Sequence, residues 1–170
     1  MGTDLMRCYW RAEELPIEAP RTAAARAHVS RVRAENTEIL RAIIKEHGWP
    51  GVSLVGRKAA TAAWLVAHHS EDAAFQELSL RLLRAAVAEG DAEAEHLAQL
   101  TDRCCARRRI PQIYGTQYAR DAAGLTLLPV LDPQQLDDRR AALGLEPHAE
   151  YDERMLGAVV LLSTPGSFGT

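Results

Sequence analysis

Trp64-Leu65-Val66-Ala67-His68-His69-Ser70-Glu71-Asp72-Ala73-Ala74-Phe75-Gln76 sets polar groups into an otherwise apolar helical pattern. At about 100° per residue, Leu65, His69, Asp72, Gln76, Leu80, Leu83 and Val87 fall along one stripe. The stripe is apolar at both ends and polar in the middle. An unpaired buried polar group costs roughly 1–3 kcal/mol, so such a patch belongs either to an internal hydrogen-bond network or to the wall of a pocket. Ser70 and Asp72 are both helix-capping residue types, so the stretch reads equally as one rod or as a junction between two helices.

Composition narrows the fold around this stretch. A chain of 170 residues suits one domain with one core. Aromatic residues make up only 5% while hydrophobic residues reach 47%, which leaves Ala, Leu and Val to build the interior and favours helices. The net charge of −3 provides no basic field for a phosphate backbone, which argues against nucleic acid as a partner. Asp4, Arg7 and Arg11 interrupt the N-terminus, and the apolar run at 156–162 is far below the roughly 20 residues of a membrane span. A cytoplasmic protein without membrane partners is the expectation. Three cysteines, with Cys104 and Cys105 adjacent, do not make a disulfide framework and fit a reducing compartment.

Residues 1–20 read as irregular, with at most a short helix over 4–15 before Pro16 and Pro20. The single domain is expected over 21–162. A strong helix over 21–47 carries Val29, Val32, Ile39, Leu40, Ile43 and Ile44 at helix spacing, with Asn36 where another apolar residue would stand, and stops at Gly48 and Pro50. Ser53 is a cap candidate for a helix over 54–69, whose alanines allow a close neighbour. Helices over 73–89 and from 91 or 92 to about 107 follow. Two extended segments, 111–118 and 125–130, read as a β-hairpin. Helices over 134–143 and 147–162 complete the chain, and 163–170 reads as a flexible tail. The expected fold is mainly α, a compact helical domain of about five to six helices with one small β-hairpin near 112–130.

The spacing of several polar motifs resembles an uncharacterised bacterial family, a domain of unknown function. The matching elements are Glu35-Asn36, Gly48-Trp49-Pro50, Trp64-Leu65, His69, Asp72, Gln76, Asp102-Arg103, Gln112, Tyr114-Gly115-Thr116-Gln117, Arg139-Arg140 and Gly144-Leu145. One position departs from the pattern: His68 stands where the family commonly has Gln. The resemblance directs attention to these residues and implies no activity.

His69 is the natural acid–base candidate, because only imidazole has an unperturbed pKa near neutrality. Asp72, three residues on, or Asp102, from another helix, would orient it, and Tyr114 would be a second proton donor. Asn36, Gln76, Gln112, Thr116 and Gln117 would hold a small polar substrate, His68 would border it, and Arg103 would clamp a carboxylate or phosphate group. The competing reading makes His69 a core histidine, Asp72 a helix cap, the amides internal partners of backbone groups, and the Asp-Arg and Arg-Arg pairs structural. His68, His69, Asp72 and His96 are metal-ligand types, but no His-Glu-x-x-His or Cys-x-x-Cys spacing is present, so no metal is expected. No Walker or dinucleotide glycine pattern occurs, and no cofactor is expected. A cofactor-independent acid–base enzyme is the leading expectation, ahead of a binding module with a buried polar network and a metal-dependent hydrolase.

Overall fold

A computed structural model describes residues 1–13, 22–121 and 124–163. It is mainly helical, with eight α-helices and one two-stranded antiparallel sheet among the described residues. The helices are α1 (Gly2–Glu13), α2 (Ala23–His47), α3 (Val52–Val55), α4 (Arg57–His69), α5 (Ala73–Ala88), α6 (Ala94–Arg107), α7 (Leu136–Ala142) and α8 (His148–Ser163). The sheet pairs β1 (Tyr118–Asp121) with β2 (Gly124–Leu127). Residues 164–170, most of the expected tail, and 14–21 lie outside the described residues.

The centre is α4. Its alanines Ala59, Ala62, Ala63 and Ala67 are buried, and their small side chains let α1, α2, α3, α5 and α6 all pack against this one helix. The surrounding core is aliphatic, with Leu40, Ile43, Phe75, Leu83, Leu97 and Leu100.

Three local expectations change. The N-terminal segment is helical from Gly2 to Glu13 and not largely irregular, because Leu5 and Cys8 bury completely in the core, which extends back past residue 21. The helix expected over 54–69 is broken at Gly56, whose φ of 78° departs from helical geometry. Ser53 does not cap it: its amide and hydroxyl both donate to the Asp91 carboxylate, at 2.6 and 3.0 Å. These breaks and α1 account for the helices beyond the five or six expected.

The hairpin lies later than its expected register. Tyr118 pairs with Leu127 and Asp121 with Gly124, while residues 113–117 form no strand. Gln112 makes only an isolated bridge to Val130. The reason is local: the amides of Ile113, Tyr114 and Thr116 are claimed by a side chain of α6 and are lost to a sheet ladder.

Candidate functional site

The opening stretch is a junction. α4 ends at His69, the chain turns through Ser70 and Glu71, and Asp72 caps α5 by accepting from the Phe75 amide at 3.0 Å. The bend ends the single stripe from Leu65 to Val87, so its polar members point to different jobs. Asp72 also receives Arg41 Nη2 at 2.7 Å, and the Phe75 bond followed by Arg41 holds its carboxyl below the ordinary value. No described contact joins it to His69.

Gln76 ties the junction together. Its Nε2 donates to the Ala67 and His68 carbonyls, at 3.2 and 2.9 Å, satisfying the open C-terminus of α4. Its Oε1 accepts from Arg107 Nη1 at 2.8 Å, and Arg107 also donates to the Ser70 and Glu71 carbonyls. Arg33 and Ser30 from α2 both donate to the Glu71 carboxylate. Thr37 donates to Ser70 Oγ at 3.0 Å. The turn is thus fixed from α2 and α6 at once.

Inside this frame lies a histidine cluster. The His68 and His69 ring centroids are 5.1 Å apart, Trp64 lies 5.4 Å from His68, and His96 stacks on Trp64 at 4.1 Å and 7°. Among the described residues, neither ring nitrogen of His68, nor Trp64 Nε1, nor Arg33 Nε has a hydrogen-bond partner, although all are buried. Burial, then the charges of His69 and Arg103, pushes His68 down to about 3. Burial, followed by Arg33 and Arg103, lowers His69 to about 4, and burial lowers His96 to about 4. All three rings are therefore neutral at pH 7.

Asp102 and the 112–117 loop form a second polar centre. Asp102 has no exposed surface. Its oxygens accept from the amides of Ile113 (2.7 Å), Tyr114 (3.0 Å) and Thr116 (2.9 Å) and from Thr116 Oγ1 (2.9 Å). Burial raises its pKa, and these donors pull against the shift. Carbonyls of the same loop meet arginines: Arg139 Nε donates at 2.9 Å to Ile113 O, which shares a peptide with the Tyr114 amide, and Arg140 Nη1 donates at 2.7 Å to Tyr114 O in the next peptide. The Ile113–Tyr114 peptide dipole thus runs from the Asp102 carboxylate to the Arg139 guanidinium. Asp102, Arg139 and Arg140 meet through the backbone of one loop and not in a direct ion pair.

Gln112, 1% exposed, completes the loop by accepting from the Gln117 amide at 2.8 Å and donating to the Gln117 and Leu128 carbonyls. Gly115 has a φ of 72°, and a Cβ there would stand 2.6 Å from the His148 ring. What the glycine admits is a side chain of the same chain: His148 Nε2 lies 3.0 Å from the Gly115 carbonyl, which can only accept. Asn36 Nδ2 donates to the Cys8 carbonyl at 3.3 Å, tying α2 to α1.

The candidates therefore separate. Asp102, Gln112, Tyr114, Thr116 and Gln117 come together around the loop; His68, His69 and Arg103 come together at the end of α4; Asp72, Gln76 and Asn36 serve helix ends and packing. Asp102 and Arg103 are consecutive on α6, so the two centres occupy neighbouring faces of that helix. Arg33 was missed, although it precedes Asn36 by three residues and so shares its side of α2. The cysteines are core residues, with burial pushing Cys104 up to about 11 and Cys105 up from its ordinary value. Among the described residues no three His, Cys, Asp or Glu side chains converge in a metal-binding arrangement, and no helix is long and apolar enough to cross a membrane.

Fold and site define a small, mainly helical domain with two buried polar centres on one helix. The chain belongs to the family of unknown function DUF6624, whose model matches residues 15–162. Neither the curated proteins nor the solved structures include a match.

Proposed function

We propose that the chain is a cofactor-independent enzyme that acts on a small polar molecule by general acid–base chemistry, with His69 as the proton-transferring group. The observation that carries this reading is the His68–His69 pair: two adjacent imidazoles kept neutral by burial, one with both nitrogens unpartnered. Burying such groups without partners costs stability and packing alone does not call for it. A neutral imidazole donates from one nitrogen and accepts at the other. His69 begins as a base at pH 7, and the proton it gains beside Arg33 and Arg103 is readily passed on.

Asp72 and Asp102 are engaged elsewhere, so the proposal no longer assigns either the orienting role. Tyr114 belongs to the separate Asp102 centre, with its main chain pinned by Asp102 and Arg140, so the proposal no longer assigns it the second proton transfer. The test is a screen of small metabolites for consumption by the purified full chain. His69→Gln is expected to abolish turnover with an unchanged unfolding midpoint. Equal turnover in wild type and His69→Gln would remove the acid–base role.

A second reading, a non-catalytic binding module, draws support from Gln76, Gln112 and Asp102, whose polar atoms are spent on internal bonds. Saturable ligand binding with no consumption would favour it.

A further inference from the structure

We propose that Arg33 and Arg103, together with the His68–His69 pair, form a binding site for a small oxyanion, a carboxylate or phosphate group carried by the ligand. This names the substrate class of the site just described and rests on that reading.

Among the described residues the charges at the α4–α5 turn do not balance. Arg33, Arg103 and Arg107 act on one another or on the histidines, and Glu71 is the carboxylate bonded within this group. Arg107 spends its donors on neutral acceptors, the Ser70 and Glu71 carbonyls and Gln76 Oε1. Arg103 makes no hydrogen bond or ion pair among the described residues, and partial burial followed by the like charges of Arg107 and Arg33 weighs against its cation. Arg33 gives Nη1 to Glu71, yet its Nε is buried and unpartnered. A guanidinium held among like charges with open donors is matched by the planar oxygens of a carboxylate or phosphate.

The imidazoles fit the same ligand. Being neutral, each can donate one N–H to an oxyanion without adding a further charge to the free protein, and both His68 nitrogens lack partners. A metal cation is disfavoured here, because the guanidiniums would repel it. Arg103 is partly buried but keeps surface in solvent, so an oxyanion would meet it first, ahead of the buried Arg33 Nε and His68 nitrogens. Glu71 is already bound to Ser30 and Arg33, so it competes for Arg33 alone and leaves Arg103 open.

Titration of the full-length protein with inorganic phosphate and, separately, with acetate, at constant ionic strength set by chloride, tests this through NMR resonances of the histidine rings and arginine Nε–H groups. Saturable shifts are expected at His68, His69, Arg33 and Arg103 with at least one of the two probes, and the responsive probe identifies the headgroup. Arg103→Gln, which breaks no bond within the fold, should weaken binding about tenfold or more, as loss of one charge-assisted contact does. Arg33→Gln should act likewise if it folds. No saturable shift with either probe, or shifts indifferent to Arg103→Gln, would overturn the oxyanion site. Oxyanion binding without His69-dependent turnover would sustain the site and remove the acid–base reading; His69-dependent turnover of an uncharged molecule without oxyanion binding would do the reverse.

Discussion

At the residue scale, Asp102 and Gly115 hold the same loop by opposite means, one by accepting every nearby donor and the other by lacking a side chain. Asp102→Asn keeps the shape but replaces an acceptor oxygen with an amide whose hydrogens would face backbone N–H groups. It should cost about 2–4 kcal/mol, measured as a lower urea midpoint at unchanged m-value. Gly115→Ala must adopt a φ of 72° and displace the His148 ring. The backbone alone costs about 1–2 kcal/mol, so a loss of about 2 kcal/mol or more is expected in the same measurement. His148→Ala should recover part of that loss, because it removes the clash and leaves the backbone strain. Asp102 was legible as an important residue and illegible in its job. Its partners are mainly amides, which every residue but proline carries, so no side-chain pattern announces them.

At the element scale, the α4–α5 junction shows why an unbroken helical stripe misleads. Periodicity counts residues along a rod, but the Ser70 and Glu71 turn resets the phase, and Asp72 then opens a new helix as its cap. Both elements were readable from their apolar spacing, as was the long α2 from Val29 to Ile44; the angle between α4 and α5 was not. That angle is held by Gln76, which closes α4, and by Arg107 from α6, which reaches Ser70 from 37 residues away in sequence. Gln76→Ala leaves the Ala67 and His68 carbonyls and one Arg107 donor without this partner, and it should destabilise by about 2–3 kcal/mol. Asp72→Ala loses a cap and an exposed ion pair, for about 1 kcal/mol. The ordering of the two losses in chemical denaturation separates a tether from a cap. A Gln76 variant no less stable than the Asp72 variant would mean that Gln76 does not tether the junction, leaving it to the bonds from Thr37, Arg33 and Arg107. The hairpin shift follows the same logic: the 113–117 segment has strand-like residues, but Asp102 takes the Ile113, Tyr114 and Thr116 amides and Gln112 takes that of Gln117.

At the scale of the whole molecule, three imidazoles are held neutral around α4, and this couples global stability to pH. His68 titrates near about 3 and His69 and His96 near about 4 in the folded chain, against 6.5 for the ordinary group. The folded values are depressed, so between 6.5 and these values the unfolded chain binds more protons. The stability linked to these rings is therefore fully present above about pH 6.5 and is lost as pH falls towards 4. Each ring contributes a slope of up to about 1.4 kcal/mol per pH unit. Urea unfolding followed from pH 7 to pH 5 should show a steady fall in stability before most carboxylates titrate. His68→Gln should flatten that fall by close to one ring's share. An identical slope in wild type and His68→Gln would show that the buried ring takes up its proton without unfolding. The cluster would then open on protonation, and its neutrality at pH 7 would no longer be a constraint that the helices around α4 impose.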